Sequence, residues 1–400
     1  MKIVLAFSGG LDTTAVVARY ADAGHEVVAV YGELGQPGDP VEAETRAFKA
    51  GAVAFELADL REPFAERFLT PAVRANARYE GRYPLVSALS RPAIAEALVD
   101  SARRHGADAC GHGCTGKGND QVRFEVSLRA LAPDLEVLAP IRDWELTRPD
   151  ALDLVAAHGI DVDATKSSPY SVDENVFGRA CECGILEDTW AAPPADAYEW
   201  TVDPSDAPSE PFEIVLAFRD GVPVAIDGDE LGLVGIVEQL NALGGRYGYG
   251  RLDMVENRRV GIKSREVYEV PGALAIVEAH RDLEDLCLER DLIHEKARLE
   301  IRWAELVYDG LWFSPLREAI DAFIAEGQRG LDGEVRLRYS PGSCASVGRR
   351  SPVSLYDKGL ATYDEDDSFD HDDAAGFIHL WGLPTTQWAQ VRARGAGDGQ

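Results

Sequence analysis

Lysine and methionine are scarce in this chain of 400 residues. Of its 40 basic residues seven are lysine, which leaves thirty-three arginines, and there are two methionines. Basic charge as a whole is in deficit. The 69 acidic residues bring the formal net charge to −29, and they are spread along the chain rather than held in one tail. Such a chain offers no basic face to a polyanion, so nonspecific nucleic-acid binding is excluded as a function. The acid excess reads instead as halophilic adaptation to a salt-rich cytoplasm, where self-repulsion is screened. No apolar run reaches the length of a membrane span, so no membrane partner is expected. The first apolar run begins at Ile3, which leaves no room for a signal peptide and sets a cytoplasmic expectation. Six cysteines (Cys110, Cys114, Cys181, Cys183, Cys287 and Cys344) lie scattered, a pattern of reduced thiols rather than a disulfide scaffold. Cys181 and Cys183 have no His or Cys partner at zinc-site spacing.

What the chain does have is alternation. Up to about residue 165, short apolar runs at 3–8, 26–31, 52–57, 108–111 and 135–139 read as strands. Helical patterns lie between them at 12–23, 40–50, 63–78, 91–105 and 119–131. This βαβα order predicts an α/β domain with a doubly wound parallel sheet, its ligand at the carboxyl ends of the strands. A Pro-, Asp- and Ser-rich connection at 196–211 then precedes a β-hairpin, 213–218 with 222–226, turning at Asp220-Gly221. Helices are expected at 232–243, 283–309 and 315–326, and strands at 335–339 and 354–356. This second part reads as α+β. The charge run 364–373 reads as a solvated loop, and the apolar stretch 374–383, with Phe377, Ile378, Leu380 and Trp381, as a segment that docks elsewhere. The expected division is 1–165, 166–362 and an arm at 363–400 with a disordered tail.

Four motifs carry chemistry. The first is Ala6-Phe7-Ser8-Gly9-Gly10-Leu11-Asp12-Thr13-Thr14. A strand, a Ser-Gly-Gly turn and a helix start aim backbone N–H groups and the positive end of a helix dipole at one point, which suits a phosphate. Walker A spacing is absent. The loop resembles the pyrophosphate-binding Ser-Gly-Gly-x-Asp-Ser/Thr loop of enzymes that split ATP into AMP and pyrophosphate. The second motif runs from Gly111 to Glu125. Gly111 to Lys117 nearly satisfies Walker A, but Gly118 stands where Ser or Thr must bind magnesium. What remains is a Gly-rich turn opening a helix, with Thr115, Asn119, Asp120 and Arg123 offering donors and acceptors to a small zwitterion. The third motif, from Ser168 to Arg179 and on to Glu187, reads as a polar loop without metal-ligand or triad spacing. The fourth, Val255 to Gly272, crowds acid, base and tyrosine in a loop-like stretch suited to recognising an amino acid. In so acidic a chain an anionic substrate needs a locally positive cleft. Arg91, Lys117, Arg123, Lys166, Arg179, Lys263 and Arg265 are its candidates.

Together these motifs resemble the argininosuccinate synthase family, in order and through nearly the whole chain, including the ending from Leu355-Tyr356-Asp357 to Leu383-Pro384. The resemblance implies an ATP pyrophosphatase-type nucleotide domain, a synthetase domain, a C-terminal oligomerisation arm and a homotetramer. It implies joining of citrulline to aspartate through a citrullyl-adenylate, with release of AMP and pyrophosphate. It places ATP on Ala6, Phe7, Ser8, Gly9, Gly10, Leu11, Asp12, Thr13 and Thr14 and near Gly113. It places aspartate on Thr115, Asn119 and Asp120, and citrulline on Tyr83, Asn119, Arg123, Ser171, Glu256 and Tyr268. Magnesium then rides on the pyrophosphate, with Asp12 the candidate to help place it and no metal assigned to protein ligands alone. Asp120 is the candidate to orient the attacking amine or accept its proton. Ala88 and Ala180 depart from the family, which usually has citrulline-contacting serines there; Ser87 adjoins the first. Another AMP-forming ligase of the same loop class, or a nucleotide-binding regulator without catalysis, are the alternatives.

Overall fold

The computed structural model describes residues 1–160, 169–363 and 368–397. Lys166 and Ser168 lie outside them, as do residues 364–367 of the charge run. Chain contacts divide the molecule into Met1–Val353 and Ser354–Gln400.

The first part opens with strands β1 (Lys2–Ala6), β2 (Glu26–Glu33), β3 (Ala54–Asp59), β4 (Ala109–Gly111) and β5 (Glu136–Leu138). All pair in parallel, in the order β3-β2-β1-β4-β5. The order reverses between β1 and β4, so the crevice beyond their carboxyl ends is the place for a ligand. Helices α1 (Leu11–Asp22), α2 (Pro40–Lys49), α3 (Arg61–Phe64), a π-helical turn (Ala65–Leu69), α4 (Thr70–Arg74), α5 (Val86–His105), α6 (Asp120–Leu131), α7 (Pro140–Asp143) and α8 (Arg148–Ala157) join and cover them. Val4, Val28 and Val30 face one helical layer and Ile3, Leu5 and Val27 the other, as alternation along buried strands requires.

Helix α5 departs from the expected start at 91. Pro92 looks like a first-turn proline, yet the helix runs through it from Val86. The extra turn places Ser87 and Arg91 four residues apart on one helix face.

The remaining strands are β6 (Ser171–Asn175), β7 (Gly178–Glu182), β8 (Phe212–Arg219), β9 (Val222–Ile226), β10 (Asp229–Glu230), β11 (Arg251–Asn257), β12 (Lys263–Glu269), β13 (Gly333–Ser340) and β14 (Ser343–Arg350). They form two antiparallel sheets, β10-β9-β8-β13-β14 and β11-β12-β7-β6. The second corrects the sequence reading: the third and fourth motifs are strands, not loops. Their alternation is carried by polar and charged side chains, so it lacks the apolar signature of a half-buried strand.

Helices α9 (Leu233–Arg246), α10 (Pro271–Cys287), α11 (Arg290–Tyr308) and α12 (Pro315–Gly327) complete this part. The single helix expected over 283–309 is broken. Leu288 is extended, and the Glu289 carboxylate caps a new helix by accepting from the N–H groups of Asp291 and Leu292, each at 3.0 Å. Residues 354–356 form no strand; β14 pairs with β13 instead.

The second part holds α13 (Lys358–Ala361) and α14 (His371–Gly397). The apolar stretch 374–383 therefore lies in the first half of a 27-residue helix, and residues 371–373 of the charge run are its first turn. Among the described residues no helix is long and apolar enough to cross a membrane.

Candidate active site

Two cavities meet beyond β1 and β4. The larger, about 690 Å³, is lined at its floor by Ala6, Phe7, Ser8, Thr13 and Gly113 and along one wall by Val30, Tyr31, Leu34, Ile94 and Phe124. The smaller, about 400 Å³, is lined by Tyr83, Ser87, Thr115, Asn119, Asp120, Arg123, Ser171, Ala180, Glu182, Glu256, Arg258, Glu266 and Tyr268. Ser8, Arg91, Gly113, Cys114, Val172 and Asp173 line both.

The larger cavity is a backbone site. Gly9 sits at φ +74, and a Cβ there would stand 3.1 Å from that of Ala43, so α2 packs directly on the turn. Arg46 of α2 donates from Nη1 to the Gly9 carbonyl at 2.9 Å, which fixes the turn from behind. The Thr14 hydroxyl donates to the Gly10 carbonyl at 2.8 Å, and the Ser8 and Thr13 hydroxyls lie 3.2 Å apart. Gly10 caps α1 with no side chain, so the first-turn N–H groups stay available to an anion. Gly113 is required by space: a Cβ would lie 2.7 Å from Thr13 Cγ2. Asp12 is exposed in the first turn of α1.

The smaller cavity is a side-chain site. One face of the β11-β12-β7-β6 sheet forms its wall. Asp173, Ala180 and Tyr268 stand opposite one another across three strands, and Ser171 pairs with Glu182. Tyr83 stacks on Tyr268 with ring centroids 4.2 Å apart. The Tyr268 hydroxyl is 2.8 Å from Glu256 Oε2, and that of Tyr308 donates to Glu256 Oε1 at 2.7 Å. Burial, followed by the neighbouring charge of Glu266, pushes the Glu256 carboxyl up to about 7. Asp120 has the opposite balance. Burial works against its charge, but the guanidiniums of Arg91 and Arg123, each 2.8 Å away, outweigh it and hold the carboxyl down at about 2. Arg123 also donates from Nε to the Tyr308 carbonyl at 3.1 Å. Arg258 pairs with Glu182 and Glu266. Ionised groups of both signs, fixed against tyrosine rings, suit a zwitterion.

Ala88 lies in the core, while Ser87 lines the smaller cavity and its N–H donates to the Tyr83 hydroxyl at 2.9 Å. Ala180 lines that cavity. Of the cation candidates, Arg91 and Arg179 line the larger cavity, and Arg91 and Arg123 the smaller. Arg265 is spent on Asp253 and on the carbonyls of Asp188 and Ala191, and Lys263 donates to Asn257 Oδ1. Lys117 is exposed.

Tyr308 was invisible from sequence. Its hydroxyl accepts from Asn119 Nδ2 at 2.9 Å while donating to Glu256, so it ties two motifs together from the end of α11. It closes an ordinary amphipathic run, and no local signal marks it. Asn119 is drawn away from capping: its Oδ1 accepts from the Arg259 N–H at 2.9 Å, and α6 begins without a side-chain cap.

Comparison with known proteins bears on both halves. Residues 2–161 match the family model "Arginosuccinate synthase N-terminal HUP domain", and residues 170–388 match "Arginosuccinate synthase C-terminal domain". The chain is 51% identical over 391 residues to argininosuccinate synthase of Rubrobacter xylanophilus, covering 98% of this chain and 95% of that one. It is 52% identical over 384 residues to the Bacillus pumilus enzyme, with 96% and 95% covered. It is 50% identical over 390 residues to that of Ligilactobacillus salivarius, with 98% and 97% covered. With both domain models matched in order and half of all residues shared over nearly full length, the chain belongs to the argininosuccinate synthase family.

Proposed function

We propose that the two cavities hold the substrates of the family's reaction, the AMP-forming ligation of citrulline and aspartate to argininosuccinate. ATP lies along Ala6 to Thr14 and past Gly113, its base on the apolar wall and its phosphates at the Ser8-Gly9-Gly10 turn. Citrulline lies among Tyr83, Asn119, Arg123, Ser171, Glu256 and Tyr268, with Ser87 beside it. Aspartate meets Thr115, Asn119 and Asp120. The observation that carries this reading is the junction: a backbone anion site opens directly into a pocket of paired charges, and the two share Ser8, Arg91 and Gly113.

The ureido oxygen of citrulline attacks the α-phosphorus of ATP, giving a citrullyl-adenylate and pyrophosphate. The aspartate amine then attacks the ureido carbon and expels AMP. A ureido oxygen is a weak nucleophile, so placement and charge stabilisation supply most of the acceleration. Asp12, the only carboxylate of the loop, is the residue that would hold magnesium, which would offset phosphate charge. Asp120, ionised between two guanidiniums, serves to orient the aspartate ammonium.

The domain limits are 1–165, 166–362 and 363–400, the last an assembly arm of a cytoplasmic homotetramer. Its support is α14, where Phe377, Ile378, Leu380 and Trp381 are each more than half exposed. Halophilic adaptation rests on the charge of −29.

The test follows the products. AMP and pyrophosphate should form only with ATP, magnesium and citrulline together, and argininosuccinate only when aspartate is added. Formation of ADP and phosphate would overturn the assignment, because a different bond would then be broken.

A further inference from the structure

The adenylyl group has to change hands where the two cavities join. Its nucleoside belongs to one side and the attacking oxygen to the other, so the α-phosphorus reacts at their shared border. Six residues form that border: Ser8, Arg91, Gly113, Cys114, Val172 and Asp173. Arg91 is the one cation among them. It projects from α5, and its side chain is 15% exposed. From Nη2 it reaches Asp120 at 2.8 Å and Asp173 at 2.6 Å, and from Nη1 it donates to Ser90 Oγ at 3.1 Å. Its Nε is buried and has no hydrogen-bond partner among the described residues.

Resting on the reaction proposed above, we infer that Arg91 is a catalytic residue of the first step and binds the non-bridging oxygens of the α-phosphoryl group during transfer. A lone pair of the ureido oxygen forms the new O–P bond. The bond from the α-phosphorus to the α,β-bridging oxygen breaks, and its electron pair leaves with pyrophosphate. The ureido group becomes cationic, its charge shared by its two nitrogens, and the proton is lost once the aspartate amine has added. Charge on the transferring group is met by a planar guanidinium already held in place by two carboxylates, so little reorganisation is needed. The same guanidinium faces Asp120, which puts the phosphoryl group and the aspartate-orienting carboxylate on one side chain.

The test uses the full chain with Arg91→Gln and Arg91→Lys, and follows exchange of labelled pyrophosphate into ATP with citrulline present and aspartate absent. Exchange by the glutamine variant should fall about 10²-fold or more while ATP affinity changes by less than about threefold, with partial recovery in the lysine variant. A role confined to holding Asp120 and Asp173 would spare contacts to the phosphorus itself. The two diastereomers of ATP carrying sulfur on the α-phosphorus separate the cases: the wild-type preference for one of them should change at least about tenfold in Arg91→Lys. Exchange within about threefold of wild type in Arg91→Gln, or an unchanged diastereomer preference in Arg91→Lys, overturns the assignment. If Arg91→Gln does not fold, the diastereomer preference of Arg91→Lys decides. Wild-type protein that performs no exchange would instead refute the adenylation reading beneath it.

Discussion

The two cavities are built by opposite means. The larger takes its anion site from main chain: one turn, two glycines and the start of α1. From beyond the parallel-sheet region its lining adds only residues between 170 and 199, among them Val172, Asp173, Glu174 and Arg179. The smaller takes its character from ionised side chains, drawn from Tyr83 on one side of the sequence to Tyr268 on the other and braced by Tyr308. A backbone site is robust to side-chain change but intolerant of added volume. A side-chain site is tolerant of volume but depends on every partner keeping its charge.

Replacing a charge should therefore do the most damage. Asp120→Asn removes the carboxylate that two guanidiniums share. Turnover with aspartate should fall about 10²–10³-fold, while pyrophosphate exchange in its absence falls by about tenfold at most. Equal loss in both assays would show that Asp120 serves the whole site rather than aspartate. Because its carboxyl is held at about 2, Asp120 stays ionised at neutral pH and contributes no acid limb there. Charge on the folded form persists below the ordinary carboxylate range, so its stabilising effect is lost only as pH falls toward 2.

Glu256 should behave otherwise. With its carboxyl raised to about 7, it is protonated below neutrality and ionised above. An ammonium group of citrulline needs the ionised form, so the citrulline KM should fall as pH rises through about 7 and then level off. In Glu256→Gln that pH dependence should vanish, and KM above pH 7 should rise roughly 10- to 100-fold, the value of a charge-assisted bond of about 1.5–3 kcal/mol. A surviving inflection near neutrality would assign it to another group.

In the larger cavity the sensitive change is bulk. Gly113→Ala places a methyl against Thr13, whose own hydroxyl lies 3.3 Å from the Gly10 carbonyl. Overpacking of about 1–2 kcal/mol should weaken ATP roughly tenfold and leave the citrulline KM nearly unchanged. Unaltered ATP affinity would mean that the turn yields and that the backbone site tolerates added volume after all. The smallest effect on either cavity should come from ending the chain before Ala374. Light scattering should report a lower mass while exchange changes by less than about threefold, and assembly of the intact chain should tighten in high salt. A truncated chain that keeps the full-length mass at every salt concentration would remove the assembly role of α14.

Both Gly-rich turns and the parallel sheet were legible because their requirements are local. A glycine at Gly9, a strand before it and a helix after it are neighbours in sequence, and their order sets the crevice between β1 and β4. A turn suited to a phosphate is written in a few consecutive residues, since backbone N–H groups need only the right φ and ψ to converge. Asn119, Asp120 and Arg123 were also legible, because they open a helix directly after a Gly-rich turn. The β11-β12-β7-β6 sheet was not. Its strands alternate Ser171, Asp173 and Ala180, Glu182, a period carried by residues that sequence analysis assigns to loops.

Other features were set by packing alone. Ser87 reaches the smaller cavity and Arg91 the junction because α5 continues through Pro92 instead of starting there. Ala88 falls in the core by the same turn of helix. Tyr308 joins Glu256 and Asn119 because α11 ends beside the smaller cavity that both of them line, and Tyr79 stacks on its ring at 3.5 Å. The sequence by itself determined the parallel sheet, the Ser8-Gly9-Gly10 turn before α1 and the excess of negative charge, all of which follow from composition and short-range geometry. Only the tertiary structure decided which arginines line the cavities and which carboxylates stay ionised, because burial and pairing depend on residues far apart in sequence, 185 positions in the bond from Arg123 to Tyr308.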